Sequence, residues 1–351
     1  MSLTRSGAYA FIFILFGSLS FCPANTPAND IEQVQGLSDV KLEALARLPE
    51  EQIDIGRVAL ILTTEAFPDL DVARYSAQLD ARAADIRRLT GDATDPDYRI
   101  RVMNTYLYLD QGFHFDQDDM YAKLLKNRYL NGILDTKSGS CTTMPLLYLA
   151  VAQRLDYPVY PVAAPQHLFL RYVDPQLQQQ NIEATSGGGS PSNQDYTEDM
   201  EVPEAGIKSG VYLATMTYRQ LLGDLIAENG TYWAKQKQLY RAIKYFKLGL
   251  RLNPKAAEVY CMLGQAYREL ASQARQQDAA LEWLRQTPNI TFIRQQHQGE
   301  AKTFQQTGDD AMEMAQMMGV APPTPRNYWV RQEQLAKVRA IRLAKEAKKR
   351  P

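Results

Sequence analysis

Three cysteines and three histidines are the side chains best suited to nucleophilic chemistry in this chain of 351 residues. Cys141 follows the polar segment SGS and precedes the apolar stretch TTMPLLYLAVAQRL. In that stretch apolar residues recur at three- and four-residue steps, which predicts a helix from Cys141 onward. The amino-terminal end of a helix carries partial positive charge and favours the thiolate, the nucleophilic form of cysteine.

A cysteine nucleophile needs a base that accepts its proton. His114 lies between two phenylalanines in an expected loop, and His297 lies in a glutamine-rich helical stretch. His167 instead opens the run HLFLRYV, whose aromatic and β-branched residues predict a strand directly after the turn residues PQ. A strand packed on the Cys141 helix would bring the imidazole to the thiol, so His167 is the candidate base.

The base in turn needs an acceptor that orients it. Glu183 lies in the half-apolar segment NIEAT, which predicts a third short strand beside the strand of His167. Its carboxylate is the natural partner for the far ring nitrogen of His167. The candidate site is therefore Cys141 at a helix start, His167 on a strand and Glu183 on the next strand.

Each of these residues also has an ordinary structural interpretation. A cysteine on an apolar helix face is most often a packing residue, and a lone histidine at a strand end is usually structural. The order of cysteine, histidine and carboxylate favours catalysis over packing. Cys261 lies in the middle of a predicted helix and is expected to be a packing residue.

Composition, net charge and the spacing of histidines and cysteines indicate which classes of partner and cofactor to expect. Hydrophobic residues make up 45% and charged residues 23% of the chain, the proportions of an ordinary globular protein. A net charge of −1 provides no general attraction to nucleic acid, and no nucleic-acid partner is expected. The histidines are scattered and no paired-cysteine spacing exists, so neither a metal nor another cofactor is expected.

The amino-terminal segment has the order of a secretory signal. Arg5 precedes an apolar run over residues 8–21, and small residues follow that run. We expect a signal peptide over residues 1–28 and export to the periplasm or the extracellular space. The apolar run is short for a transmembrane helix, which needs about 20 residues; an uncleaved membrane anchor is the alternative.

The mature chain divides into four expected regions. Residues 29–120 read as a helical leader, and residues 121–212 as an α+β core with a small antiparallel sheet. Residues 213–320 read as an all-α region and residues 321–351 as a basic helix or tail. The tail is expected to be a solvated, frayed helix, with weak contact to an anionic surface as the alternative.

The all-α region carries part of a repeat pattern. Eight residues fit the second half of one tetratricopeptide unit and the first half of the next. They are Ala242, Phe246, Gly249 and Pro254, then Tyr260, Leu263, Gly264 and Tyr267. Two unrelated amphipathic helices are the alternative. Tetratricopeptide units would make this region a site for a protein partner.

Four segments together resemble the bacterial transglutaminase-like family, whose members share the papain-like cysteine enzyme fold. They are FPDLDVARYSAQLDARAADI, NRYLNGILDTKSGSCTTMPLLYLAVAQRL, PVAAPQHLFLRY and NIEATSGG. The resemblance covers nearly all of the mature chain and implies a helical leader, the enzyme core and carboxy-terminal tetratricopeptide repeats. It also implies Cys141 as nucleophile, His167 as base and Glu183 as orienting residue. Gln166 is a departure, because many relatives have glycine before the histidine.

Two functions are consistent with these residues. The first is an exported cysteine acyltransferase, amidase or peptidase that acts on a protein or peptide through Cys141, His167 and Glu183. The second is a catalytically silent scaffold, since many members of the family have lost the cysteine or the histidine and keep only the fold. Nothing in the sequence selects between water and an amine as the acyl acceptor.

Overall fold

The computed structural model describes residues 37–175, 178–282 and 288–320, together with residue 341. The expected signal peptide over residues 1–28 lies outside the described residues, and so does the expected basic tail apart from residue 341. Within the described ranges, no helix has both the length and the apolar character needed to span a membrane.

Four helices form the amino-terminal part of the described chain. They are α1 (Asp39–Ala46), α2 (Ile55–Thr63), α3 (Val72–Thr90) and α4 (Pro96–Asn104). The N-cap residues of the first three helices are Ser38, Asp54 and Asp71. Each of their side chains accepts a hydrogen bond from the amide three residues later. Such caps satisfy amides that have no partner inside the helix. A wider, π-helical turn over Thr105–Asp110 extends α4.

Helix α6 (Thr143–Arg154) lies at the centre of the fold, and its residues 143–152 are all buried. It packs against α2, α3, helix α5 (Leu130–Thr136) and two strands of the sheet. Because neighbours cover it on all sides, its apolar residues extend beyond the single stripe of a surface helix.

The sheet has three antiparallel strands in the order β3, β4, β5. These are β3 (Val159–Ala164), β4 (His167–Asp174) and β5 (Gln178–Ile182). Ala164 pairs with His167, so Pro165 and Gln166 form a two-residue turn, as predicted. The third strand was expected from residue 181, but β5 begins at residue 178 and ends before Glu183.

Two further short strands differ from the sequence-based expectation. Strand β1 (His114–Phe115) pairs in parallel with β2 (Ser138–Gly139), although a loop and a helix lead-in were expected at these positions. The apolar spacing of residues 121–134 predicts a helix over this range, and that prediction is partly wrong. A 3₁₀ turn over Leu125–Arg128 precedes α5, and the two are separated by Tyr129, whose backbone is extended with φ −129° and ψ 150°. The chain then folds back so closely on the carbonyl of Lys126 that position 132 has room only for glycine.

Six helices follow the sheet in the part of the chain that is described. They are α7 (Asn193–Asp199), α8 (Glu204–Lys208), α9 (Tyr218–Lys235), α10 (Leu239–Leu252), α11 (Ala257–Ala280) and α12 (Pro288–Met317). Helix α9 packs along α10, and α11 packs along α12. The region is thus helical as expected, while its assignment to tetratricopeptide units stays a prediction.

Candidate active site

Cys141 lies in a tight turn that leads into α6. The Oγ of Ser140 accepts hydrogen bonds from the amides of Thr142 and Thr143, both at 3.2 Å, and Thr143 Oγ1 accepts from the amide of Ser140 at 2.8 Å. These hydroxyl contacts hold the turn outside the helix, so α6 begins at Thr143 and not at Cys141 as predicted. The half-exposed thiol therefore precedes the helix by two residues and keeps access to solvent.

His167 is the first residue of β4, and the β3–β4 turn brings it to the cysteine. The Sγ of Cys141 lies 3.7 Å from the carbonyl oxygen of Gln166, the residue before the histidine. The thiol also interacts with the imidazole itself. The structure thus brings together a cysteine and a histidine that are 26 residues apart in the sequence.

Glu183 completes the group from the end of β5. Its Oε2 lies 2.7 Å from Nε2 of His167, and both side chains are fully buried. A carboxylate only accepts hydrogen bonds, so Nε2 carries a proton whether the ring is neutral or charged. Nδ1 is then the ring nitrogen through which His167 would exchange a proton with the thiol. Glu183 lies one residue beyond β5 because its carboxylate caps the 3₁₀ turn over Ala184–Ser186.

Four donors surround the Glu183 carboxylate. Besides His167, Oε2 accepts from the hydroxyl of Tyr196 at 2.8 Å. Oε1 accepts from the amide of Thr185 at 3.0 Å and from its Oγ1 at 2.6 Å. A buried charge is costly unless it is paired and hydrogen-bonded, and this carboxylate is both.

The electrostatics of the pair favour its ionised form. Burial lowers the pKa of His167, but the Glu183 carboxylate and the Cys141 thiol outweigh that effect and raise the pKa to about 9. Burial raises the pKa of Glu183, but the imidazolium, Thr185 and Tyr196 outweigh it and lower the pKa to about 2. At neutral pH the pair is therefore an imidazolium and a carboxylate.

The loop that carries Glu183 is held in place by Asn104, the last residue of α4. Its Nδ2 donates to the carbonyl of Gly188 at 2.9 Å, and the amide of Glu183 donates to the carbonyl of Gly189 at 2.6 Å. Gly188 has φ = +77°, and a Cβ there would lie 2.2 Å from the side chain of Asn104. The glycines of the SGGG segment, which the sequence suggests as a flexible surface loop, thus help to hold the acid in place.

Gly188→Ala should destabilise the fold by at least about 1 kcal/mol more than Gly112→Ala. Both glycines have positive φ, so both variants have the conformational cost of alanine in that region, about 1–2 kcal/mol. Only at Gly188 does the new methyl group displace Asn104, because no atom lies within 4 Å of the Cβ position at Gly112. Urea denaturation measures the free energy of unfolding of both variants. Equal losses in Gly188→Ala and Gly112→Ala would show that the contact between Asn104 and Gly188 does not hold this loop in place.

Helix α11 reaches the turn beside the cysteine. The amide of Gln166 lies 3.5 Å from Oε1 of Glu258, and Tyr212 donates a hydrogen bond to the same oxygen at 2.8 Å. Gln166 has φ = +50°, in the left-handed region that favours glycine. The carboxy-terminal helices therefore contact the backbone next to the candidate site.

The remaining cysteine and histidines are not part of this group. His114 is exposed and its Nδ1 lies 3.0 Å from the carbonyl of Gly112. His297 lies on α12, and Cys261 lies on α11, where burial raises the pKa of its thiol. In the described parts of the chain, no group of three or more histidine, cysteine or acidic side chains could hold a metal ion.

Sequence reasoning missed Tyr196, Thr185, Asn104 and Glu258. Thr185 follows Glu183 by two residues and is a local signal for a capped turn. The other three come from distant helices, and no motif marks them. Only the three-dimensional arrangement shows that they contact the residues around Cys141.

Comparison with known proteins identifies the domain. Residues 73–226 match the model of a family described as the transglutaminase-like superfamily. A UPF0162 protein of Xylella fastidiosa (strain 9a5c) is 22% identical over 261 residues, 72% of this chain and 91% of the relative. A UPF0162 protein of Haemophilus influenzae is 30% identical over 105 residues, 29% of this chain and 39% of the relative.

Among solved structures, a crystal structure of menin aligns over 87% of this chain and 89% of that chain, with a TM-score of 0.36 and 13% identity.

The match to the superfamily covers α6, the sheet and the loop that carries Glu183. Residues 73–226 of this chain are therefore similar to the domain of the transglutaminase-like superfamily.

Proposed function

We propose that this protein is a cysteine acyltransferase or amide hydrolase that acts on a protein or peptide. The observation that carries the proposal is the buried hydrogen bond of 2.7 Å between His167 and Glu183, with the imidazole against the thiol of Cys141. A histidine with a buried carboxylate behind it and a cysteine in front of it is the arrangement that nucleophilic catalysis requires.

In the proposed first half-reaction the sulfur of Cys141 forms a bond to the acyl carbon of an amide. The carbonyl electron pair moves onto oxygen, and the resulting oxyanion accepts a hydrogen bond from the backbone amide of Cys141. We assign that amide because those of its neighbours Ser140, Thr142 and Thr143 already donate to hydroxyl groups within the turn. The imidazolium then donates its Nδ1 proton to the leaving amine, and a thioester remains on Cys141.

In the second half-reaction the acceptor attacks the acyl carbon of the thioester, and neutral His167 takes the acceptor's proton. The bond between the acyl carbon and the sulfur then breaks, and Cys141 leaves as the thiolate beside the imidazolium. Water as acceptor completes an amide hydrolysis, and an amine completes an acyl transfer. Glu183 stabilises the imidazolium in both halves and keeps the ring in the orientation that faces the sulfur.

The proposal includes a location and a partner. Arg5 and the apolar run over residues 8–21 support export, so the substrate is expected outside the cytoplasm. A protein partner on α9–α12 is part of the proposal, because helix pairs that stack in this way offer extended surfaces for binding.

Alkylation by iodoacetamide tests the nucleophile directly. At pH 6 we expect Cys141 to react at least about 10-fold faster than Cys261, because the imidazolium stabilises its thiolate, whereas burial raises the pKa of Cys261. Mass spectrometry of the digested full chain measures each cysteine separately. His167→Asn is the matched variant and should remove the difference between the two cysteines.

Acylation tests the reaction itself. Incubation with p-nitrophenyl acetate should leave an acetyl group on the peptide of Cys141 in the wild type, and far less of it in His167→Asn. Slow and equal labelling of both cysteines, without acetyl transfer, would contradict the proposal and leave the catalytically silent scaffold as the function.

A further inference from the structure

We infer that Tyr196 is a positioning residue that controls how strongly Glu183 holds the imidazolium of His167. The hydroxyl of Tyr196 and Nε2 of His167 donate to the same carboxylate oxygen, at 2.8 Å and 2.7 Å. The inference rests on the proposed function in one respect only, namely that His167 is the base of the reaction.

The surroundings of Tyr196 fix the direction of its hydroxyl. Helix α7 begins with a capping box in which the side chains of Ser192 and Asp195 each bond the other's backbone. One turn later, the buried ring of Tyr196 stacks on Phe169, with centroids 4.0 Å apart and planes 14° from parallel. Phe169 follows His167 by two residues on β4, so the two side chains lie on the same face of the strand. Tyr196 therefore covers the face that carries the base.

The competition between the two donors has a chemical consequence. A carboxylate oxygen with a single donor makes a strong hydrogen bond to that donor. When a second donor binds the same oxygen, its negative charge is shared and each hydrogen bond becomes weaker. The imidazolium must release its proton to the leaving amine during acylation. Tyr196 therefore weakens the hold of Glu183 on the imidazolium enough for the proton to leave.

Other described groups lie close to the pair. Cys141 faces the imidazole from the turn before α6. Arg171 lies on β4, the strand of His167, and interacts electrostatically with Tyr196. Its guanidinium donates hydrogen bonds to Asn181, Thr215 and Asn193. Thr185 holds the opposite oxygen of Glu183 through two hydrogen bonds, so the carboxylate keeps its position when the tyrosine hydroxyl is removed.

Nuclear magnetic resonance of histidine tests this inference without any substrate. The full chain has only three histidines, so ¹³C labels at Cε1 resolve them, and substitution of His114 or His297 assigns the signals. Tyr196→Phe should raise the proton affinity of His167 between about 2- and 10-fold. The matched control is Tyr106→Phe, which removes a tyrosine–carboxylate bond to Asp85 of the same 2.8 Å length elsewhere in the fold.

A second variant gives the opposite sign and keeps the shape of the side chain. Incorporation of 3-fluorotyrosine at position 196 makes the hydroxyl a stronger donor and should lower the proton affinity of His167. An unchanged titration in both variants would overturn the inference and leave Tyr196 as a packing residue. The result is separable from the proposed function, because the titration of His167 is measured whether or not Cys141 reacts.

Discussion

Glu183→Gln should slow the alkylation of Cys141 at pH 6 by about 10²-fold. Four groups described here donate hydrogen bonds to this carboxylate, so an amide cannot replace it without placing its NH₂ group against one of these donors. If the NH₂ group faces His167, the neutral ring must carry its proton on Nδ1 and can no longer accept one from the thiol. An ordinary thiol, with a pKa of about 8.5, is only about 0.3% thiolate at pH 6.

The control for this prediction is Glu204→Gln. Glu204 is exposed on α8 and pairs with Lys208, so its replacement should leave the alkylation profile unchanged. The measurement is the alkylation rate of Cys141 from pH 5 to pH 10 in the wild type and both variants. A Glu183→Gln profile that coincides with the wild type would remove Glu183 from the site.

The same pair gives a pH-dependent contribution to stability. The pKa of His167 rises from 6.5 to about 9 on folding, so its contribution is complete below about pH 6.5 and disappears as the pH rises through 9. The pKa of Glu183 falls from 4.5 to about 2, so its contribution is complete above about pH 4.5 and disappears as the pH falls toward 2. The Tm difference between wild type and Glu183→Gln should therefore be largest between about pH 4.5 and 6.5.

Glu65→Ala should destabilise the protein by about 3–5 kcal/mol. This carboxylate follows α2 and is 2% exposed, and it binds side chains of two carboxy-terminal helices. Its Oε2 accepts from Nε1 of Trp233 at 2.8 Å and from Arg241 at 3.2 Å, and its Oε1 accepts from the hydroxyl of Tyr245. Removal of the carboxylate leaves a guanidinium and two buried donors without their acceptor, and their desolvation is then no longer offset.

Urea denaturation measures this loss, and Glu204→Ala is again the matched control. The exposed pair of Glu204 and Lys208 is screened by solvent, so its removal should leave the denaturation midpoint unchanged. A loss of similar size in both variants would show that Glu65 contributes no more than a surface charge.

Local patterns account for what could be predicted. Cys141 precedes a helix with a continuous apolar pattern, and His167 opens a strand after a Pro-containing turn, so residue types and spacing identified both. The helices of the leader and the strands β3 and β4 follow from the same kinds of pattern. Helix and strand limits were less accurate at 121–124 and 178–183, where side-chain hydrogen bonds and close backbone contacts decide the conformation.

Contacts between distant segments account for what could not be predicted. Tyr196 reaches Glu183 only because α7 folds back over β4, and Asn104 reaches Gly188 across 84 residues. Neither residue belongs to a periodic pattern that marks it as part of a site. Such contacts depend on how whole helices and strands pack together, and this packing leaves no local pattern in the sequence.

The Glu65 network has a consequence for where this protein can be cut. Sequence similarity to the superfamily begins at residue 73 and ends at residue 226, whereas Glu65 precedes that segment and Trp233, Arg241 and Tyr245 follow it. A truncated chain of residues 73–226 would also lose α2, which packs directly on the central helix α6. The limits of the superfamily match therefore separate Glu65 from its partners on α9 and α10, and an expression fragment of residues 73–226 would expose the interior that supports Cys141.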